Sequence, residues 1–160
     1  MLSPKRLLVT GGAGFMGSAF IRFILRRSLS ERVVNLDLLT YAGNRDNVAE
    51  CAHDPRYLFI QGNILDQPLV EKICLEEKID TIVHFAAETH VDRSISGPEA
   101  FLGTNVLGTF ALLQVVQKMP KNLRFHQIST DEVFGSLGKE GLFTETSPYL
   151  PNSPYSASKA

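Results

Sequence analysis

Short apolar runs alternate with stretches of helical spacing along this chain. Residues 6–10 (RLLVT), 33–37 (VVNLD), 57–60 (YLFI), 81–85 (TIVHF) and 124–128 (RFHQI) each predict a strand. Residues 15–27 have helical spacing, with Phe15, Ala19, Ile21, Phe23, Ile24 and Leu25 mostly on one face and Arg22, Arg26 and Arg27 elsewhere. Residues 66–76 predict a second helix, with Asp66 as its N-cap. Residues 101–117 carry no charge and predict a third, preceded by Pro98. Continuous apolar strands between helices mean a parallel sheet covered on both faces. The expectation is an α/β protein with a doubly wound parallel sheet in the order 3-2-1-4-5, right-handed crossovers and ligands at the carboxyl ends of the strands. Residues 144–154 are rich in Pro, Ser and Asn and read as loop.

Composition narrows the picture without changing it. At 160 residues, with 44% hydrophobic and 21% charged positions, the chain fits one domain, 1–160, with a real core. A net charge of −1 argues against a nucleic-acid surface. Cys51 and Cys74 form no metal motif and no disulfide framework, which points to a reducing cytoplasm. Residues 1–6 lead straight into the first strand and have no signal-peptide layout. In the uncharged run, Thr104, Asn105, Gly108, Thr109 and Gln114 interrupt the apolar sequence, so it is expected to fall short of a membrane span. One of its sides is expected to meet the sheet and another a partner subunit.

Candidate chemistry begins at the first turn. Residues 10–17 (TGGAGFMG) follow a strand and open a helix, where backbone N–H groups and the helix dipole hold a pyrophosphate. Gly11 and Gly14 permit close approach of the backbone, and Gly17 lets the helix sit against the sheet. Asp37 ends the second strand, where a carboxylate accepts from a ribose 2′-OH and selects NAD over NADP by charge repulsion. Asn63 and Ile64 follow the third strand, where an adenine edge is read; Asn63 also suits a plain turn. Phe85 closes the fourth strand, and the small Ala86 and Ala87 after it let the backbone approach the cofactor. His84, His90 and Asp92 match no common metal spacing, so no metal is predicted.

A second cluster lies near the end of the sequence. Ser129-Thr130-Asp131-Glu132 leaves the fifth strand, and Tyr155-x-x-x-Lys159 follows. Four apart on a helix, Tyr155 and Lys159 share a face. A lysine and an oxidised nicotinamide both favour phenolate and are expected to lower the phenol pKa from about 10. Such a phenolate takes the proton of a sugar hydroxyl while hydride leaves to NAD, with Thr130 bonding that hydroxyl. Two adjacent carboxylates in a dry site do not both stay ionised, so Asp131 and Glu132 are poised as one acid and one base.

Together with residues 35–44, 62–66, 84–95 and 104–109, these runs make the chain resemble the extended short-chain dehydrogenase/reductase family, with its Rossmann-like fold, across essentially its whole length. The Asp131-Glu132 pair is similar to that of its sugar-nucleotide dehydratases. The resemblance implies a hydro-lyase acting on a nucleotide sugar, dTDP-glucose, with a recycled NAD. Tyr155 deprotonates the C4 hydroxyl, Glu132 removes the C5 proton, and Asp131 protonates the departing C6 hydroxyl. It further implies that Thr89 and Thr130 touch the sugar. Phe15, Met16, Leu38, Leu39, Thr40, Glu88, Thr89, Thr104, Tyr155 and Lys159 join the cofactor contacts.

Asn63 stands where the family usually has aspartate, and Phe134 where it has tyrosine. The resemblance implies longer members, a substrate-binding part beyond residue 160, a homodimer in the full-length form, and no nucleic-acid or membrane partner. The isolated chain is therefore expected to bind NAD weakly or not at all and not to turn over. Its last helix, too short to stand alone, is expected to leave Lys159 unheld. Two other readings remain open: a UDP-sugar epimerase or decarboxylase, which needs only the redox step, and a non-catalytic NAD-binding module.

Overall fold

The computed structural model of the chain describes residues 5–119 and 123–160. Residues 1–4, which carry part of the signal-peptide reading, lie outside them. The fold divides into two compact units: the first comprises the chain up to Ala86 together with Thr109–Gln127, and the second comprises Ala87–Gly108 and Ile128–Ala160.

The first unit is a five-stranded parallel sheet, β1 (Arg6–Thr10), β2 (Arg32–Asp37), β3 (Tyr57–Gln61), β4 (Thr81–His84) and β5 (Arg124–Gln127), in the order β3-β2-β1-β4-β5. Both the strands and the doubly wound order match the sequence expectation. The three central strands are buried along nearly their full length, as a sheet covered on both faces requires. Leu8, Val34, Leu36 and Ile82 pack into one cluster with Val70, Ile73 and Cys74 of α2 (Gln67–Glu76) and with Leu112 and Val115 of α5 (Thr109–Lys118). Each such side chain contributes about 1.5–3 kcal/mol by leaving water. Alternate strand residues, Leu7, Val9 and Val33, belong to the opposite face.

Helix α1 (Phe15–Arg26) buries Gly17, Ser18, Ile21, Ile24 and Leu25. The expected face is thus only half right, since Phe15 and Phe23 are exposed and Ala19 is outward. Gly17 and Ser18 are small enough to bring the first turn close to the sheet, which turns the buried stripe away from those three. Asp66 caps α2 as predicted, its Oδ1 accepting from Leu69 N at 3.1 Å.

The uncharged run behaves differently from expectation. It lies within a helical stretch, Glu99–Lys118, that is by length and composition long and apolar enough to cross a membrane, a test that core helices of soluble proteins also pass. Its last part is α5, whose Leu112 and Val115 lie in the first unit's core. Its first part, α4 (Glu99–Phe101) and a π-helical segment (Leu102–Gly108), belongs to the second unit. That unit also holds α3 (Val91–Ser96), a 3-10 turn (Asp131–Phe134) and α6 (Pro154–Lys159). The loop reading of 144–154 holds up to residue 153, and Pro154 instead opens α6.

Candidate functional site

In the first unit the glycine turn is built by close backbone approach. Gly11 has φ +69°, and a Cβ on it would lie 2.5 Å from Ala86 N. A Cβ on Gly17 would lie 2.4 Å from Gly11 O. Helix α1 starts at Gly14 with no side-chain cap, which leaves its first N–H groups to a ligand or to water. Phe15 and Met16, in the first turn, are exposed beside it.

Asp37 braces this turn. Its Oδ2 accepts from Ala13 N and its Oδ1 from Leu39 N, both at 2.8 Å, and the residue is only 8% exposed. Each oxygen keeps a further lone pair for a ribose hydroxyl. Leu38 and Thr40 are exposed, and Leu39 adopts φ +58°. Two residues unmarked in the sequence reading help: Asn44 N and Asn47 Nδ2 both donate to Ala13 O, at 3.1 and 2.8 Å. An asparagine on a surface 3-10 turn gives no sequence signal of that role.

Other predicted cofactor residues divide. Asn63 serves as a turn residue, its Oδ1 accepting from Leu65 N at 3.0 Å. The Ile64 side chain is in the core cluster, because an apolar residue following β3 is drawn inward. Phe85 is half-buried and packs against Phe20 with ring centroids 5.4 Å apart. His84 is fully buried, with Nδ1 2.6 Å from Thr10 Oγ1 and Nε2 3.1 Å from Thr109 Oγ1. Its two nitrogens are thus engaged by hydroxyls, and no group of three metal-ligating side chains occurs among the described residues.

The second unit gathers the acid–base residues. Thr130 caps the 3-10 turn, its Oγ1 accepting from Glu132 N at 3.3 Å. The buried Tyr155 phenol hydrogen-bonds Thr130 and feels the charges of Glu132 and Asp131. Phe101 meets Tyr155 edge-on, with centroids 6.3 Å apart. Four predicted residues, Thr130, Asp131, Glu132 and Tyr155, therefore share one site.

The phenol itself departs from expectation. Burial pushes its pKa up, the Thr130 bond pulls it down, and Glu132 and then Asp131 push it up again. The Lys159 Nζ donates to Ile128 O at 2.6 Å. Burial lowers the pKa of that ammonium.

Helix α6 also forms where a stub was expected to fray. Ser153 and Ser156 make a reciprocal capping box, Pro154 occupies the first turn, and Ser129 Oγ donates to Lys159 O at 3.1 Å. These contacts supply what six residues cannot supply alone.

Asn105, which the sequence reading took only as a polar break in the apolar run, binds this unit together. Only 3% exposed on the π-helical segment, it accepts from Glu88 N at 2.8 Å. It donates to Glu88 O at 2.9 Å and to Ser158 Oγ at 2.8 Å. Ser158 in turn donates to Tyr155 O at 2.7 Å. A polar side chain inside an uncharged helix was its one visible signal. Thr104 is half-buried beside it, Ala87 and Glu88 are half-buried, and Thr89 is exposed.

Known proteins resemble this chain in sequence and in fold. The family described as GDP-mannose 4,6 dehydratase matches residues 8–160. A dTDP-glucose 4,6-dehydratase of Neisseria meningitidis serogroup B is 50% identical over 98% of this chain and 46% of its own length. A dTDP-glucose 4,6-dehydratase from Streptomyces venezuelae, solved with NAD bound, is 51% identical over 96% of this chain and 48% of its own, with a TM-score of 0.90. A UDP-Glc/GlcNAc 4-epimerase from Campylobacter jejuni is 30% identical over 97% and 46%, with a TM-score of 0.86. The chain thus spans under half the length of these relatives. With the glycine turn, the braced Asp37 and the Tyr155 site all inside the matched span, the chain belongs to the GDP-mannose 4,6 dehydratase family, within the extended short-chain dehydrogenase/reductases.

Proposed function

We propose that the protein carrying this chain removes water from dTDP-glucose with NAD as a recycled cofactor, giving the 4-keto-6-deoxy sugar nucleotide. The observation that carries this reading is the pair Asp131 and Glu132 gathered with Thr130 about the Tyr155 phenol. Names of half-identical relatives, with NAD in a solved one, support it.

In the first unit the residues fit a dinucleotide. The crowded glycine turn leaves no room for Cβ atoms at Gly11 and Gly17, the α1 N-terminus is uncapped, and Asp37 keeps acceptor capacity for the ribose. NAD held by these residues would supply a reversible hydride acceptor for sugar C4 and C6. Tyr155, as phenolate, takes the C4 hydroxyl proton, and Thr130 orients that hydroxyl. The resulting ketone acidifies C5–H, and Glu132 removes that proton. Its electron pair forms the C5–C6 double bond as the C6–O bond breaks, and Asp131 protonates the oxygen, which leaves as water. A proton returned to C5 by Glu132 accompanies the hydride at C6, so the sugar loses one water and the cofactor ends unchanged. Lys159 holds α6 against Ile128 O and adds positive charge to the unit.

We further propose that the whole protein is a homodimer. Leu102, Val106 and Leu107 of the second unit are exposed apolar residues that such an assembly would cover.

Mass spectrometry of the protein with dTDP-glucose and NAD tests the activity: loss of water from the sugar nucleotide is expected. Asp131→Asn should abolish that loss and leave C4 oxidation intact. An epimerase would turn over without water loss and tolerate the substitution, and a binding module would leave the sugar unchanged.

A further inference from the structure

The 3-10 turn that carries Asp131 and Glu132 is four residues long, and a single turn does not hold its shape unaided. Thr130 secures its N-terminal end. Its other end is secured by chain returning from residue 143 onward. Gly135 leaves the turn at φ +91°, and a Cβ there would lie 2.7 Å from Leu150 O, so the returning backbone sits directly on it. Leu150 N donates to Val133 O at 3.0 Å, and Asn152 Nδ2 to Ser136 Oγ at 3.0 Å. The Phe134 ring stacks on Tyr149 at 5.4 Å with planes 6° apart. Phe143 approaches the same ring at 5.3 Å. Thr144 and Ser147 bond each other twice, Thr144 N to Ser147 Oγ at 2.9 Å and Ser147 N to Thr144 O at 3.0 Å, which shapes the returning segment.

We propose that Tyr149, beside Phe143 on the same Phe134 ring, is a positioning residue for the two carboxylates: its ring clamps Phe134 and so fixes the turn that aims Asp131 and Glu132. This rests on the elimination chemistry proposed above. Phe134 stands two residues after Glu132, so a ring free to swing lets the turn swing with it. Tyr149 itself is 64% exposed, whereas Val133 is the residue of the turn that reaches the core. Removing the Tyr149 ring therefore loosens the turn without opening a cavity.

The test compares Tyr149→Ala with Tyr149→Phe. Tyr149→Ala slows water loss about tenfold to a hundredfold, the range that misplacing a reacting group produces. The 4-keto sugar that still carries its C6 hydroxyl then accumulates, because C4 oxidation keeps its rate. Tyr149→Phe retains the ring and behaves as the parent. Without any turnover, the backbone amides of Val133, Gly135 and Leu150 exchange with deuterium faster in Tyr149→Ala, while those of α6 do not. Unchanged exchange at those three amides overturns the proposal, as does equal slowing of oxidation and water loss, or an equal defect in Tyr149→Phe. If the parent protein fails to remove water at all, the elimination chemistry falls, and the exchange comparison still decides whether Tyr149 holds the turn.

Discussion

The two units hold their functional residues by different means. In the first, the dinucleotide turn is a backbone construction: glycines pressed against Ala86 and Gly11 O, with one carboxylate tying Ala13 to Leu39. The sheet below it is a continuous apolar core. In the second unit the acid–base residues lie on a 3-10 turn and a six-residue helix, held by side chains that reach distant backbone. A backbone cradle tolerates no added atom, whereas a side-chain lattice tolerates substitution but loses aim. The first design suits a rigid phosphate-binding site, and the second suits groups that exchange protons in sequence.

The sharpest way to break that contrast is Gly17→Ala. Its methyl would sit 2.4 Å from Gly11 O and 2.8 Å from the Gly12 Cα, both of them backbone atoms that cannot step aside. Distortion of the turn by a few tenths of an ångström or more is unavoidable, at about 1–3 kcal/mol for the strained residue. The rise in melting temperature on adding NAD, which reports binding to the folded state, is expected to vanish. Retained NAD stabilisation in Gly17→Ala would mean that the turn is looser than the packing requires.

In the second unit the corresponding probe is Glu132→Gln. As the proposed base for C5–H, its loss should slow water removal by about 10²–10⁴. A subtler effect distinguishes it from simple damage. Negative charge on Glu132 disfavours the Tyr155 phenolate, so removing that charge lowers the phenol pKa from its raised position. Tyr155 acts as phenolate, and C4 oxidation therefore rises with pH through that pKa. In Glu132→Gln the acid limb of the oxidation profile should move to lower pH. A limb that stays in place or moves upward would show that the carboxylate does not act on Tyr155.

The same contrast explains what could be read from the sequence. Strand order, the glycine turn and the Asp66 cap follow from periodicity and local spacing, and the structure has them where they were expected. Thr130, Asp131, Glu132 and Tyr155 were legible as a motif, and the second unit brings them together. Asn105 was not legible, because its partners Glu88 and Ser158 lie 17 and 53 positions away and no spacing announces them. The raised phenol was missed because burial, its largest cause, and the nearby Glu132 and Asp131 charges depend on packing that the spacing of Tyr155 and Lys159 does not show. The burial of Ile64 and the outward turn of Phe15 and Phe23 depend on which side of an element meets the sheet, and apolar character alone does not decide that.

The smallest expected effects compare one local tie with one distant tie. Asp66 Oδ1 accepts from Leu69 N within its own helix, near solvent. Asp66→Ala should therefore lower stability by about 1 kcal/mol, because water replaces part of the lost bond. Asn105→Ala removes three bonds from a residue 3% exposed and leaves both half-buried Glu88 backbone groups without that partner, while the Ser158 hydroxyl keeps its bond to Tyr155 O. Its expected loss is about 1–3 kcal/mol for each group left unsatisfied. Urea unfolding of the two variants beside the parent measures both losses. Deuterium exchange locates them: opening should centre on α2 for Asp66→Ala and on Glu88 and α6 for Asn105→Ala. If Asn105→Ala proved no more costly than Asp66→Ala, water would have to reach the Glu88 amide, and the second unit would depend on its apolar contacts, Phe101 on Tyr155 foremost, rather than on its side-chain lattice.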